Sequence, residues 1–207
     1  MENRSHWETV YTTKDPQSVS WFQSSPRISL ELIDASGVDL SGSIIDIGGG
    51  ASGLVDALVN RGQRFVAVLD IAGAGLAVAK HRLGARGADV EWIVANVTNW
   101  QPVRPFDLWH DRAVFHFLTS EADRHGYLAA LDRGLVVGGT LIMATFALDG
   151  PERCSGLMVR RYDAEGLATE LGPGFELIET RREAHHTPGG TVQNFTWTRF
   201  KRIAVPE

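Results

Sequence analysis

Cysteine is nearly missing from this 207-residue chain, with Cys154 the only one. An intramolecular disulfide is therefore impossible, and a zinc cluster built on cysteines has no ligands. No other metal-ligand spacing stands out, so no metal is expected. Lysine is almost as scarce: Lys14, Lys80 and Lys201 are all there is, and none follows a tyrosine at the Tyr-x-x-x-Lys spacing. No apolar run approaches the roughly 18–20 residues that a membrane helix needs, and the opening Met-Glu-Asn-Arg-Ser-His-Trp has no apolar core like that of a signal peptide. Basic residues are outnumbered, 20 Lys and Arg against 25 Asp and Glu, for a net charge of −5. Nucleic-acid phosphates call for a basic face, and the scattered arginines do not supply one. These absences lead us to expect a cytoplasmic protein with neither a membrane nor a nucleic-acid partner; they say nothing about oligomeric state.

What is present is ordinary for a globular chain: 43% hydrophobic and 22% charged residues. The length suits one domain, expected over residues 1–207, with an N-terminal cap and helix over 1–40 and a sheet core over 41–207. Residues 1–24 are polar but carry Trp7, Tyr11, Trp21 and Phe22, aromatics that should dock on the body or close over a ligand. Ser25-Pro26 opens a helix that Gly37 ends. Buried strands are expected at 44–47, 65–69, 90–95, 106–109 and 140–146, with helices between them. A loop over 149–159 and a helix over 163–171 follow. Two extended segments, 175–180 and 192–200, close the chain with no helix between them, so they should pair antiparallel. Alternating strands and helices imply a parallel sheet covered on both faces.

The chain is organised around Ile44–Leu54, where a β-branched strand ends in Asp46, glycines stand at 48, 50 and 53, and a helical pattern begins. A strand, a tight glycine turn and a helix make a nucleotide-type pocket at the carboxyl edge of a parallel sheet. The spacing Gly48-x-Gly50-x-x-Gly53 followed by Asp70 fits a dinucleotide fingerprint literally. It fits S-adenosylmethionine equally, since both ligands offer ribose hydroxyls to an acid at the end of the second strand. Three features favour S-adenosylmethionine. Asp46 is awkward beside a pyrophosphate, because like charges repel, and apt beside an ammonium. Asn96 ends the third strand, where an amide can read an adenine edge. The chain closes on a strand pair rather than on a second mononucleotide-binding half.

On these residues a resemblance is plain. Asp46-Ile-Gly-Gly-Gly-Ala-Ser-Gly53, Asp70, Ala95-Asn96-Val97 and Phe106-Asp-Leu-Trp-His-Asp111 resemble successive motifs of class I S-adenosylmethionine-dependent methyltransferases. Tyr11-Thr12-Thr13-Lys14 through Val19-Ser20-Trp21-Phe22 resembles the cap of small members in the broad type 11/12 group. The resemblance implies a Rossmann-like α/β three-layer sandwich, with a seven-stranded mostly parallel sheet in the order 3-2-1-4-5-7-6 and strand 7 antiparallel. It implies that Gly48 and Gly50 line the methionyl part of S-adenosyl-L-methionine, Asp70 its ribose, and Asn96 and Val97 its adenine, with Ile71 also among the cofactor-binding residues. Asn96 stands where aspartate is commoner. The product cofactor would be S-adenosyl-L-homocysteine.

Methyl transfer from a sulfonium is an in-line displacement of an already activated group, so the protein mainly aligns the reactants and excludes water. A base is needed only where the nucleophile is protonated at neutral pH. His116, between Phe115 and Phe117, reads either as that base or as a packed histidine. Asp111 reads as a ligand for the cofactor ammonium or as a helix N-cap. Arg112 reads as a holder of an anionic substrate or as half of an ion pair. Trp21 and His185 complete the expected substrate side, His185 on the connection between the last two strands. The segment after strand 4 lacks Asn/Asp-Pro-Pro-Tyr/Phe, which in this family marks amino methylation of bases and protein amides. The expected activity is methyl transfer to O, N or S of a small molecule. The alternatives are a protein side-chain methyltransferase, an NAD(P)-dependent oxidoreductase and a non-catalytic cofactor-binding module; the missing Tyr-x-x-x-Lys counts against the oxidoreductase.

Overall fold

The computed structural model describes residues 2–204. Its first helix, α1 (Glu2–Thr13), is followed by an irregular segment and by α2 (Arg27–Ala35). Pro26 stands just before α2, where its missing N–H costs nothing. Ile28, Leu32 and Ile33 give α2 one buried face. Five strands and three helices then follow: β1 (Ser43–Ile47), α3 (Leu54–Asn60), β2 (Phe65–Asp70), α4 (Gly73–Leu83), β3 (Glu91–Val94), β4 (Phe106–Arg112), α5 (Glu121–Gly134) and β5 (Leu135–Phe146), with no α-helix between β3 and β4. A two-residue hairpin, Arg153–Cys154 against Leu157–Met158, precedes α6 (Ala164–Leu171), β6 (Phe175–His186) and β7 (Val192–Arg202).

The sheet runs β3-β2-β1-β4-β5-β7-β6. The expectation did not include the hairpin, whose two short strands pair with each other outside this sheet. β1 through β5 are parallel, and β7 enters antiparallel to both β5 and β6. Alternation splits the core in two. Ile44, Val66, Val68, Leu108 and Ile142 pack with α2, α3 and α4 on one face. Ile45, Ile47, Leu69, Trp109, Leu141 and Met143 pack with α5 and α6 on the other. Because β1 lies at the centre with neighbours on both sides, its carboxyl end and the glycine turn beyond it face the middle of the sheet edge. None of the described helices is long and apolar enough to cross a membrane.

Three boundaries differ from the sequence reading. The polar opening stretch is helical over Glu2–Thr13. β5 begins at Leu135 instead of Thr140: pairing passes from Phe106↔Leu135 to Leu108↔Thr140, so two residues of β4 face five of β5. Gly138, at φ +80°, makes that bulge possible; Gly138-Gly139 therefore does not end α5. β6 extends to His186, with His185 opposite Gln193 and His186 opposite Val192. The connection is thus only residues 187–191, and both histidines lie on the strand.

Candidate active site

Two hollows open at the carboxyl edge of β1, β2 and β4, one of about 130 Å³ and one of about 70 Å³. Both are lined by Tyr11, Trp21, Gly48 and Arg112, so they are two arms of one cleft. Gly48 adopts φ +66°, and a Cβ there would come within 2.1 Å of a Val114 methyl. Only glycine fits that corner, which lets the chain leave β1 and turn at once into α3.

The larger arm gathers residues from three strand ends: Gly48 after β1, Asp70 and Ile71 after β2, and Asn96 and Val97 after β3. Asp70 is 5% exposed and accepts the Ala72 N–H at 2.8 Å. Burial, reinforced by the Asp46 and Glu8 carboxylates, pushes its pKa up to about 7 against the pull of the backbone N–H donors. Asn96 spends its side-chain carbonyl locally, accepting from Thr98 N–H at 3.1 Å.

α1 closes this arm from above. Glu8 accepts the Gly73 and Ala74 N–H groups at 2.7 and 3.0 Å, capping α4 from another helix. Tyr11 is thereby held over Gly50, which lies beneath the phenol and lines neither hollow. Trp7 meets Trp21 and Phe117 edge-on, with ring centroids 5.5 and 5.2 Å apart.

The smaller arm holds a chain that the sequence did not suggest. Asp46 and His110 stand opposite each other in the β1–β4 register. His110 Nδ1 lies 2.7 Å from Asp46 Oδ1, and its Nε2 lies 3.0 Å from the Ser29 hydroxyl of α2. All three are at most 3% exposed. The His110 ring, anchored between Asp46 and Ser29, fixes the carboxylate's rotamer from behind.

Arg112 borders both arms. Its Nη1 donates to the Trp21 carbonyl at 3.1 Å, and the guanidinium lies 4.8 Å over the Phe195 ring. Its Nε and Nη2 are shielded and unpartnered, and no carboxylate lies within 4 Å of it among the described residues. Burial lowers its pKa.

Besides Gly50, three expected site residues do not border the cleft: Asp111, His116 and His185. Asp111 is fully buried on the opposite side of β4, accepting from Val114 N–H at 2.9 Å and from the Tyr127 hydroxyl at 2.7 Å. Trp109 Nε1 donates to the same hydroxyl at 2.9 Å. Asp111 thus fixes the turn after β4, and burial raises its pKa to about 6. Tyr127→Phe, which breaks both bonds, should cost about 1–3 kcal/mol in chemical denaturation; an unchanged midpoint would show that the chain of bonds contributes nothing.

His116 is also fully buried, in contact with Phe117 and Phe146 and accepting the Phe146 N–H at 3.3 Å on Nδ1. Burial, aided by Arg112, pulls its pKa down to about 3. It is a packed neutral histidine that lines neither hollow. His185 is buried behind the cleft wall, donating from Nε2 to the Ser20 carbonyl at 2.9 Å. Burial, then Arg112, lowers its pKa. It props the 20–21 segment whose next carbonyl meets Arg112, and so acts on the site at second hand. Cys154 lines the larger arm, its thiol pushed by burial up to about 11.

Comparison with known proteins fits this geometry. Residues 44–139 match the family described as a methyltransferase domain. No curated protein matches the sequence. Among solved structures, one reported for the conversion of a disulfide bond into a thioacetal group during echinomycin biosynthesis superposes with a TM-score of 0.76 at 18% identity, covering 97% of this chain and 93% of that one. The 1,6-didemethyltoxoflavin-N1-methyltransferase of Burkholderia thailandensis superposes at 0.70 and 19% identity, over 98% and 85% of the two chains. The N-methyltransferase NodS of Bradyrhizobium japonicum WM9, in complex with S-adenosyl-L-homocysteine, gives 0.71 and 17%, over the whole of both. With this sheet and this glycine turn, residues 44–139 carry a methyltransferase domain, on a fold that the whole chain shares with these solved structures.

Proposed function

We propose that this methyltransferase moves the methyl group of S-adenosylmethionine to an N, O or S atom of a small-molecule acceptor, in a reducing cytoplasm. The observation that carries the reading is the convergence of Gly48, Asp70, Ile71, Asn96 and Val97, from three strand ends, on one hollow. A buried carboxylate and a corner that admits only glycine suit an adenosyl ligand: Asp70 takes the ribose hydroxyls, while Ile71, Val97 and the Asn96 amide take the base. Asp46, held by His110 and Ser29, takes the ammonium beside Gly48. The toxoflavin-precursor enzyme, an N1-methyltransferase with its small-molecule ligand bound, supports an acceptor of that size.

When bound, the cofactor supplies an activated methyl group. This chain's residues then hold the acceptor in line, with Trp21 and Arg112 on its side of the cleft, while α1 and its aromatics keep water out. His116 has no part in proton transfer here; the acceptor atom is one that is unprotonated when it attacks or that loses its proton to solvent.

Calorimetry with S-adenosylhomocysteine, followed by transfer of tritiated methyl into a fractionated cell extract, tests the reading. Binding together with label in the low-molecular-weight fraction is expected. Label confined to protein would move the acceptor to a side chain, cofactor binding with no labelled product would leave a binding module, and no binding at all would overturn the cofactor assignment.

A further inference from the structure

The Arg112 guanidinium is the most unusual group in the cleft. A buried charge is tolerated when it is paired, and an unpaired one carries a large desolvation cost. Arg112 has one carbonyl and one aromatic face, and two of its nitrogens are shielded without any acceptor. Nε and a terminal nitrogen form the fork that binds a carboxylate with two parallel bonds. The fork belongs to a residue bordering both arms of the cleft. Around the larger arm stand Trp7, Trp21 and Phe117, set edge-to-face, and the weakly polar Cys154 thiol. Flat rings beside an unsatisfied fork make a site for a flat ligand carrying a negative end, since aromatic faces take ring area and the guanidinium takes charge.

We infer that the acceptor is an aromatic or heteroaromatic compound bearing a carboxylate or similar planar anion, bound with its ring among Trp7, Trp21 and Phe117 and its anion on the Nε–Nη2 edge of Arg112. This rests on the methyltransferase reading above and narrows it to a substrate class. The same fork suits one other carboxylate, that of the cofactor's own methionyl group, and the experiment separates the two sources.

The probes are benzoate and benzamide, equal in ring and shape and different in charge, titrated by calorimetry into the full chain saturated with S-adenosylhomocysteine. Benzoate is expected to bind at least about tenfold more tightly than benzamide. Arg112→Met should erase that preference while leaving S-adenosylhomocysteine affinity within about twofold, the unchanged cofactor binding also showing that the variant is folded. Arg112→Lys keeps the charge without the fork and should retain only part of the preference; it serves as the test if the methionine variant does not fold. Equal binding of the two probes, binding of neither, or a preference that survives in both variants would overturn the inference. A loss of cofactor affinity in Arg112→Met, with the benzoate preference intact, would give the guanidinium to the cofactor carboxylate and equally overturn it. Failure of S-adenosylhomocysteine to bind wild-type protein would instead remove the reading beneath it.

Discussion

Asp70→Ala is expected to weaken S-adenosylmethionine binding by about fivefold to 150-fold at pH 8, about 1–3 kcal/mol, through loss of charge-assisted bonds to the ribose hydroxyls. The structure adds a pH dependence to that loss. Burial holds Asp70 near pKa 7 in the free protein, so around neutrality much of it carries a proton, whereas two ribose hydroxyls donate best to the ionised form. Binding then releases that proton, and below pH 7 the apparent affinity should fall toward a limiting slope of about tenfold per pH unit. Above pH 7 the affinity should level off. In Asp70→Ala this dependence should vanish, and the wild-type and variant curves should converge as the pH drops. Calorimetry at four or five pH values in buffers of different ionisation enthalpy measures the affinity and the released proton together. A wild-type affinity that is flat from pH 6 to 8 would show that Asp70 meets the ligand without changing protonation, and equal affinities in wild type and variant at pH 8 would remove Asp70 from the ribose site.

The parts of the site that could be read from sequence are those encoded within one strand and its turn. Ile44, Ile45 and Ile47 make an apolar strand broken only by Asp46, and the glycines behind it mark a tight turn, so the turn was legible; Asp70 and Asn96 were legible as the polar residues that end two further strands. What depends on contacts across the chain was not. The helix at Glu2–Thr13 has little apolar periodicity of its own, and it is held by Glu8 on the α4 amides some 65 residues away. Asp46 and His110 meet because β1 and β4 pair in one register out of several, which the sequence of neither strand specifies.

Strand alternation explains the misassignment after β4. His110 and Arg112 project to the side of α2 and the cleft, while Trp109 and Asp111 project toward Tyr127 on α5. Asp111 and Arg112 could not both have faced the ligand. Period-two reasoning excludes the pair but does not say which member turns inward. β6 was cut short for a related reason. At the sheet edge its residues are mostly half-buried or exposed and largely charged, so Glu183 to His186 read as loop although backbone pairing to β7 continues.

Acid should expose His116 as a pH-sensitive structural group. Its pKa is about 3 in the folded chain against an ordinary 6.5, so the unfolded chain takes up a proton that the folded one refuses. The cost is absent above pH 6.5 and grows as the pH falls toward 3, at about 1.4 kcal/mol per unit, reaching roughly 3 kcal/mol near pH 4. Asp70 and Asp111 act in the opposite sense. Their folded values of about 7 and about 6 lie above the ordinary 3.8, so their contribution is full at low pH and is lost as the pH rises through those values. The wild-type stability curve therefore mixes opposing slopes, and only a difference isolates His116. His116→Asn keeps an acceptor for the Phe146 N–H and removes the titration, at the expense of a cavity whose cost does not vary with pH. The stability of wild type minus that of the variant, from urea denaturation, should be constant above pH 7 and should shrink by about 1.4 kcal/mol per unit below 6.5. A difference that stays constant down to pH 4 would mean that the ring reaches solvent or a partner when protonated, and would return His116 to consideration as a proton carrier.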